Sequence, residues 1–269
     1  MRNIYKQINN CRVCGSEKLK KIIDLKKQYI QGSFEINKNK KNYKIPLELL
    51  LCKKCSLVQT KYTVNPKELY KNYWYASGIN FTMTNHLKNI SKEMNILIKK
   101  KIHILDIGCN DGTLLNFFPN NSIKVGIDPS SVTKNFKGKN IKILNDFFPS
   151  KKLIKNYRNK KFNLITSIAM FYDIQKPSDF VKNIKKLLDY EGVWIFELSY
   201  LLEMLKLNSY DTICHEHLEY YSLITLKYLM ESCDMKIFKI KFNEINGGSI
   251  RCYVTHKDNK KYDKKRNLD

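Results

Sequence analysis

"ILDIGCNDGTLL", residues 104 to 115, decides how this chain folds. An apolar β-type run ends at the carboxylate of Asp106, turns through Gly108 and Gly112, and leads into a helical pattern. Glycines there let the backbone bend tightly and let a ligand approach the strand end. Further β-rich runs follow at "KVGID" (124–128), "IKILN" (141–145), "FNLITSI" (162–168) and "VWIFEL" (193–198). Helical patterns lie between several of them, notably "DFVKNIKKLLDY" after Pro177, with Ser178 as the expected N-cap. This alternation predicts a doubly wound, mostly parallel α/β sheet. Asn246-Gly247-Gly248, between the strand patterns "KIFKIKFN" and "SIRCYVT", predicts that the last two strands pair antiparallel.

The turn also narrows the ligand. A dinucleotide site calls for G-x-G-x-x-G, so that a pyrophosphate can rest on the helix N-terminus. Here the middle glycine is replaced, and Asn110 and Asp111 crowd the turn. Acidic groups repel a phosphate. S-adenosylmethionine has no phosphate, and its amino group and sulfonium are positive, so the same residues become favourable. Asp128, 22 residues after Asp106 and at the end of the next strand, is placed to accept both hydroxyls of a ribose. Asp146 follows the third strand, where an adenine amino group would sit. The expected cofactor-binding set is therefore Asp106, Gly108, Asn110, Asp111, Gly112, Asp128 and Asp146.

Cys11 and Cys14 in "CRVCG" and Cys52 and Cys55 in "LCKKCS" form two C-x-x-C pairs with 37 residues between the inner cysteines. Four thiolates brought together suit a closed tetrahedral Zn²⁺ site, which adds folding energy to a piece too small for much core of its own. Between this region and the glycine turn, "HLKNISKEMNILIKK" places Leu87, Ile90, Met94 and Ile98 at helical spacing. The aromatic group Tyr70, Tyr73, Trp74 and Tyr75 reads as packing.

Apolar residues make up 43% of the chain and charged residues 28%, the composition of a globular protein rather than a disordered one. The formal net charge of +24 invites nucleic acid or an acidic surface as partner. The lysines are spread along the chain with abundant Asn and Ile, so a biased genome explains them better, and nucleic acid is not the expected partner. No run approaches the roughly 20 apolar residues of a membrane span. The first residues lack the pattern of a secretion signal. A cytoplasmic location is expected, and no membrane.

In "DTICHEHLEYYS", residues 211–222, His215 and His217 are two apart. On a helix their side chains would diverge by about 200°, and on an extended segment they would point the same way. H-E-x-x-H is absent, which disfavours a metal. A surface turn is one alternative and a proton-handling site another, since a neighbouring carboxylate can orient a histidine or raise its basicity.

Taken in order, "CRVCG", "LCKKCSLVQ", "YWYASG", "DIGCNDGTLL", "DTICHEHLEYYSL" and "NGGSIRCYV" resemble the sugar C-methyltransferases of deoxysugar biosynthesis, which methylate nucleotide-linked keto-sugars. The resemblance implies a Rossmann-like class I S-adenosylmethionine methyltransferase sheet with an antiparallel last strand and a small N-terminal zinc-binding domain. It divides the chain into a zinc-binding domain (1–60), a linker and helical segment contributing to the active site (61–100), a methyltransferase domain (101–257) and a basic tail (258–269) expected to be frayed. It implies a nucleotide-diphosphate sugar as substrate. It makes His217 the base, with Glu216 and His215 as orienting or substrate-binding groups and Tyr75 as a donor to the oxyanion. Cys214 stands where family members commonly carry Tyr, which bears on substrate identity. Members usually continue into a further C-terminal α/β domain, so a chain ending at Asp269 is expected to lack it. The rival readings are an RNA methyltransferase with a zinc-binding recognition module and a non-catalytic zinc-bearing interaction protein.

Overall fold

The computed structural model describes residues 4–30, 43–70, 73–98, 101–136, 138, 140–157 and 159–265. Its amino-terminal part is a small β module. β1 (Tyr5–Gln7) pairs with β5 (Tyr62–Val64), while β2 (Leu19–Tyr29), β3 (Lys44–Cys52) and β4 (Val58–Thr60) run antiparallel in a second sheet. In β2 the half-buried Ile23 and Leu25 face the module's core, and the lysines around them face water. α1 (Pro66–Tyr70) and then α2 (Phe81–Leu97) follow. The side chain of Asn80 accepts from the Met83 amide and caps α2, whose Leu87, Ile90 and Met94 make one buried stripe.

The remaining chain alternates: β6 (His103–Ile107), α3 (Thr113–Asn116), β7 (Ile123–Ile127), β8 (Ile141–Leu144), α4 (Lys151–Tyr157), β9 (Phe162–Ile168), α5 (Pro177–Leu187) and β10 (Leu188–Ser199). Next come α6 (Leu201–Lys206), β11 (Glu219–Tyr220), α7 (Leu223–Ser232), β12 (Met235–Asn243) and β13 (Ser249–His256). One seven-stranded sheet has the order β12-β13-β10-β9-β6-β7-β8. β6 to β10 are parallel, and β13 is antiparallel to both of its neighbours. The expected hairpin forms, with Asn246 at φ 54° and Gly247 at φ 74° in its turn. Leu105, Ile107, Trp194 and Phe196 face one core with α5; Ile104, Leu164, Val193 and Ile195 face the other with α2. Two covered faces are what a central parallel sheet requires.

The path from β6 goes outward through β7 and β8, then returns to the other side of β6 at β9. A crevice opens at the carboxyl ends of strands where the order reverses in this way. On the far face, α2 is held by a buried charge network. His86 Nε2 lies 2.5 Å from Glu197 Oε1, and Arg251 reaches Glu197 at 2.8 Å and Glu93 at 3.1 Å.

β11 does not join the large sheet. It pairs with β4, giving the order β11-β4-β3-β2, so the residues just after the His215–His217 loop belong to the amino-terminal sheet. Two expectations need correction. Ser178 does not cap α5: Pro177 takes the first turn after Lys176, as its fixed φ and missing N–H favour, and the Ser178 hydroxyl donates to the Val13 carbonyl at 3.2 Å. Nor is the described part of the tail frayed. Tyr262 is 3% exposed, stacks on Phe238 at 4.3 Å and donates to the Glu191 carbonyl, while Asn259 is buried against Tyr190 and Thr255. Among the described residues no helix is long and apolar enough to cross a membrane.

Tyr262→Ala is expected to destabilise the protein by about 3 kcal/mol, the scale of a buried aromatic truncation. Urea unfolding checks it; an unchanged midpoint would mean that the tail contributes nothing.

Candidate active site

A cavity of about 410 Å³ opens at the reversal of strand order. Asp106, Gly108 and Asn110 enter it from the end of β6, Asp128 and Ser130 from β7, Asp146 from β8, and Ala169, Met170 and Asp173 from β9. Asp106 is buried and accepts from Thr166 Oγ1 at 2.6 Å. Burial, and then the charge of Asp128, push its pKa up to about 7 in spite of that bond. Asp128 accepts from the Asn110 amide at 2.9 Å through Oδ2, and from the amide and hydroxyl of Ser130 through Oδ1. Its carboxylate is thereby fixed in orientation, with Oδ1 occupied twice and one accepting site left on Oδ2. Asp146 accepts from the Phe147 amide at 2.8 Å.

Two of the expected cofactor residues, Asp111 and Gly112, are not on the cavity wall. Asp111 accepts from the Gly78 amide at 2.8 Å and from the amide and hydroxyl of Thr113. Gly112 has φ 77°, and a Cβ there would lie 2.5 Å from the Phe136 ring, so it serves packing rather than ligand approach. Asn110 does line the cavity, yet its amide group binds protein: it donates to the Tyr75 carbonyl and accepts from the Ser77 amide, both at 2.9 Å. Asn110 and Asp111 thus hold residues 75–78 down on the turn. Gly78 is needed for the fit, because a Cβ would meet Asp111 Oδ2 and Thr113 Oγ1 at 2.8 Å. The clamp brings Tyr75 to the cavity, and Tyr70 and Tyr73 line it as well. The aromatic cluster is therefore cavity wall more than core packing, and Trp74 is 60% exposed.

The 215–217 loop lies behind this wall, and none of its three residues lines the cavity. His215 is buried and its Nε2 donates to the Ile45 carbonyl at 3.0 Å, which anchors the loop to β3; burial lowers its pKa and keeps it neutral. His217 turns elsewhere. Its Nδ1 donates to the Thr212 carbonyl at 2.8 Å, which leaves the lone pair on Nε2. Its ring packs on Tyr172 at 4.4 Å. Glu216 is half-buried; burial raises its pKa while His217 lowers it. Cys214 is buried, and burial pushes its thiol up to about 11, so it stays protonated. Between loop and cavity stands Asp173, which the sequence reading did not single out. Its signal was position alone, a carboxylate just after the parallel strand beside the reversal point.

The two cysteine pairs meet. Sγ atoms of Cys11, Cys14, Cys52 and Cys55 all lie within 4.8 Å of one another, with Cys11–Cys55 and Cys14–Cys52 at 3.5 Å. Zn–S bonds of about 2.3 Å in a tetrahedron place sulfurs roughly 3.8 Å apart, so the set fits a structural Zn²⁺. The knuckles repeat each other: Cys11 N–H bonds the Ser16 carbonyl and Gly15 N–H that of Cys11, as Cys52 N–H bonds Leu57 and Ser56 N–H bonds Cys52. Arg12, inside the first knuckle, donates to the Thr60 carbonyl at 2.6 Å and Thr63 Oγ1 at 2.7 Å and faces Glu219 at 3.6 Å.

Residues 11–70 match a family described as "Putative zinc binding domain", and residues 81–239 match one described as "Methyltransferase domain". The chain belongs to the methyltransferase domain family. The C-methyltransferase NovU of Streptomyces niveus is 25% identical over 265 residues, covering 93% of this chain and 61% of NovU. The chain thus spans about three fifths of that relative's length. Among solved structures, the plantazolicin methyltransferase BamL in complex with a triazolic desmethylPZN analog and SAH superposes with TM-score 0.52 at 15% identity, covering 66% of this chain and 87% of that one. Magnesium protoporphyrin IX methyltransferase from Synechocystis PCC 6803 with bound SAH gives TM-score 0.50 at 11% identity, covering 71% and 92%. These two likenesses are of fold.

In this methyltransferase domain the raised Asp106 has a stability signature. Its folded pKa of about 7 lies above the ordinary 3.8, so the folded state keeps a proton that the unfolded chain releases, and stability falls as pH rises through that window. Asp106→Asn is expected to gain stability over wild type between pH 5 and pH 8, by on the order of a few kcal/mol. Denaturant unfolding at both pH values measures this; a constant difference would refute it. For the metal site, Cys52→Ser is expected to abolish stoichiometric zinc and to speed hydrogen exchange at Glu219 and Tyr220, since the knuckles carry Arg12 to β11. Retained zinc by metal analysis, or unchanged exchange, would contradict it.

Proposed function

We propose that this chain is an S-adenosylmethionine-dependent C-methyltransferase acting on a nucleotide-linked keto-deoxysugar, with His217 as the base that takes the proton next to the ketone. The observation that carries the cofactor half of this reading is the charge of the cavity. Among the described residues, the cavity lining of this +24 chain holds Asp128, Asp146 and Asp179, with Asp106 and Asp173 raised by burial, against Lys176 alone. Such a lining repels phosphate and favours a cationic, phosphate-free nucleoside. Asp128 is oriented to accept ribose hydroxyls, Asp146 to accept from an adenine amino group, and Asp106 gains an ionised state beside a positive ligand. Gly108 and Asn110 bring backbone close to the same ligand. When bound, the cofactor supplies a methyl group on a positive sulfur, which takes the electron pair of the broken S–C bond.

Carbon beside a ketone needs a proton removed before it can accept that methyl. His217 suits the task by its tautomer, since Nδ1–H on the Thr212 carbonyl leaves Nε2 as acceptor; because the loop does not line the cavity, the base meets the substrate only where Asp173 and Tyr172 border the loop. Glu216 adjoins it and stabilises the imidazolium. Tyr75, clamped at the cavity by Asn110, is a donor for the substrate. His215, spent on Ile45, supports the loop from behind. NovU, by name a C-methyltransferase, supports transfer to carbon.

The test incubates the protein with labelled S-adenosylmethionine and a panel of nucleotide-linked keto-deoxysugars. His217→Ala is expected to bind cofactor as wild type by calorimetry and to lose at least roughly 100-fold in methyl transfer. Equal turnover by the variant would remove the base.

A further inference from the structure

Asp173 stands where the cavity meets the 215–217 loop, and its two oxygens differ. Oδ2 accepts from the Tyr70 hydroxyl at 3.3 Å, whereas Oδ1 is buried with no hydrogen-bond partner. The residue lines the cavity together with Tyr70, Tyr73 and Tyr75. On its other side the adjoining Tyr172 packs against the His217 ring, and the Tyr172 carbonyl accepts from the Leu218 amide at 2.8 Å. A buried polar oxygen left without a partner is costly and calls for an explanation, which an arriving ligand supplies.

We propose that Asp173 is a catalytic residue of the reaction assigned above, presenting Oδ1–H to the ketone oxygen of the sugar and stabilising the enolate that forms as His217 removes the neighbouring proton. The proposal rests on that reading of His217.

Its support is the set of groups around the carboxyl. Tyr70 and Tyr73 face it from the segment at α1, Cys214, Glu216 and His217 from the loop, and Glu219 from β11. Burial above all pushes Asp173 well above the usual carboxylate range, with Glu216 and Glu219 adding to the rise and His217 opposing it. Two carboxyls, Asp173 and Glu216, beside one imidazole do not both ionise freely. A proton on Asp173 belongs on Oδ1, since Oδ2 receives the Tyr70 hydroxyl. A buried carboxylic acid that stays neutral is a hydrogen-bond donor at neutral pH. In the step itself the C–H bond breaks, its proton goes to His217 Nε2, and its electron pair becomes the enolate. The pair returns to carbon as the C–C bond forms, the Asp173 proton stays on Oδ1 throughout, and His217 then yields its proton to solvent.

Two substitutions at one position separate the roles. Asparagine can accept from Tyr70 and still donate an N–H, but it cannot ionise; alanine does neither. With the same keto-sugar panel, Asp173→Asn is expected to keep kcat within about tenfold, while Asp173→Ala loses roughly 10²- to 10³-fold, the range for removal of an oxyanion donor. Equal losses would mean that Asp173 acts as a charged partner of His217, and would overturn the proposal. An active Asp173→Ala beside an inactive His217→Ala overturns Asp173 alone, whereas an active His217→Ala removes the underlying base. An infrared difference spectrum of wild type against Asp173→Asn needs no substrate. It is expected to contain the carbonyl stretch of a protonated carboxyl at neutral pH, and its absence would end the claim.

Discussion

The guanidinium of Arg12 is the joint on which the two halves of this molecule depend. It sits inside the first cysteine knuckle and reaches Thr60 and Thr63 in the amino-terminal strands and Glu219 in β11. Glu219 is almost wholly buried, and neither of its oxygens has a hydrogen-bond partner. A buried ion pair of this kind adds little net stability, yet losing either member is expensive, so it fixes geometry more than it contributes energy. The knuckle owes its shape to the four cysteines, and β11 begins two residues after His217. The cysteine knuckles therefore shape the position of the loop without themselves lining the cavity. The hydroxyls of Ser178 and Thr225, bonded to the Val13 and Cys55 carbonyls, close the same junction from the methyltransferase side.

A second constraint governs the cavity mouth. Asn110 and Asp111 occupy a turn that other nucleotide folds keep for phosphate, and here their side chains bind the amides and carbonyl of residues 75–78. Asn110 and Asp111 thus fasten the tyrosine segment over the cavity, and Asp111 does so without lining it. Carboxylates divide between two tasks: Asp111 holds backbone, while Asp106, Asp128 and Asp146 give the cavity its sign. Asp106 is raised by burial and by the charge of Asp128, and a positive ligand would oppose that rise.

Much of this was legible in the chain itself. The run 162–168 is a strand over the residues expected, and the Asn-Gly turn closes an antiparallel pair. The helix through Leu87, Ile90 and Met94 buries the stripe its spacing drew. Two C-x-x-C pairs converge on one point. These features are local or periodic: a strand's alternation, a helix's 3.6 repeat and a knuckle's spacing are properties of neighbouring residues.

What the sequence determined by itself was therefore the order of the elements, the closing hairpin, the cysteine quartet and the strand-end carboxylates Asp106, Asp128 and Asp146. Only the tertiary structure decided which side of the turn Asp111 faces, that β11 leaves the large sheet for the small one, and that His215 anchors while His217 keeps a free nitrogen. It also brought Asp173 to the cavity beside residues from α1 and from the loop, some 40 to 100 positions away. The reason is physical: a side chain's partner and its desolvation are set by which distant segments cover it, and no local pattern encodes that cover.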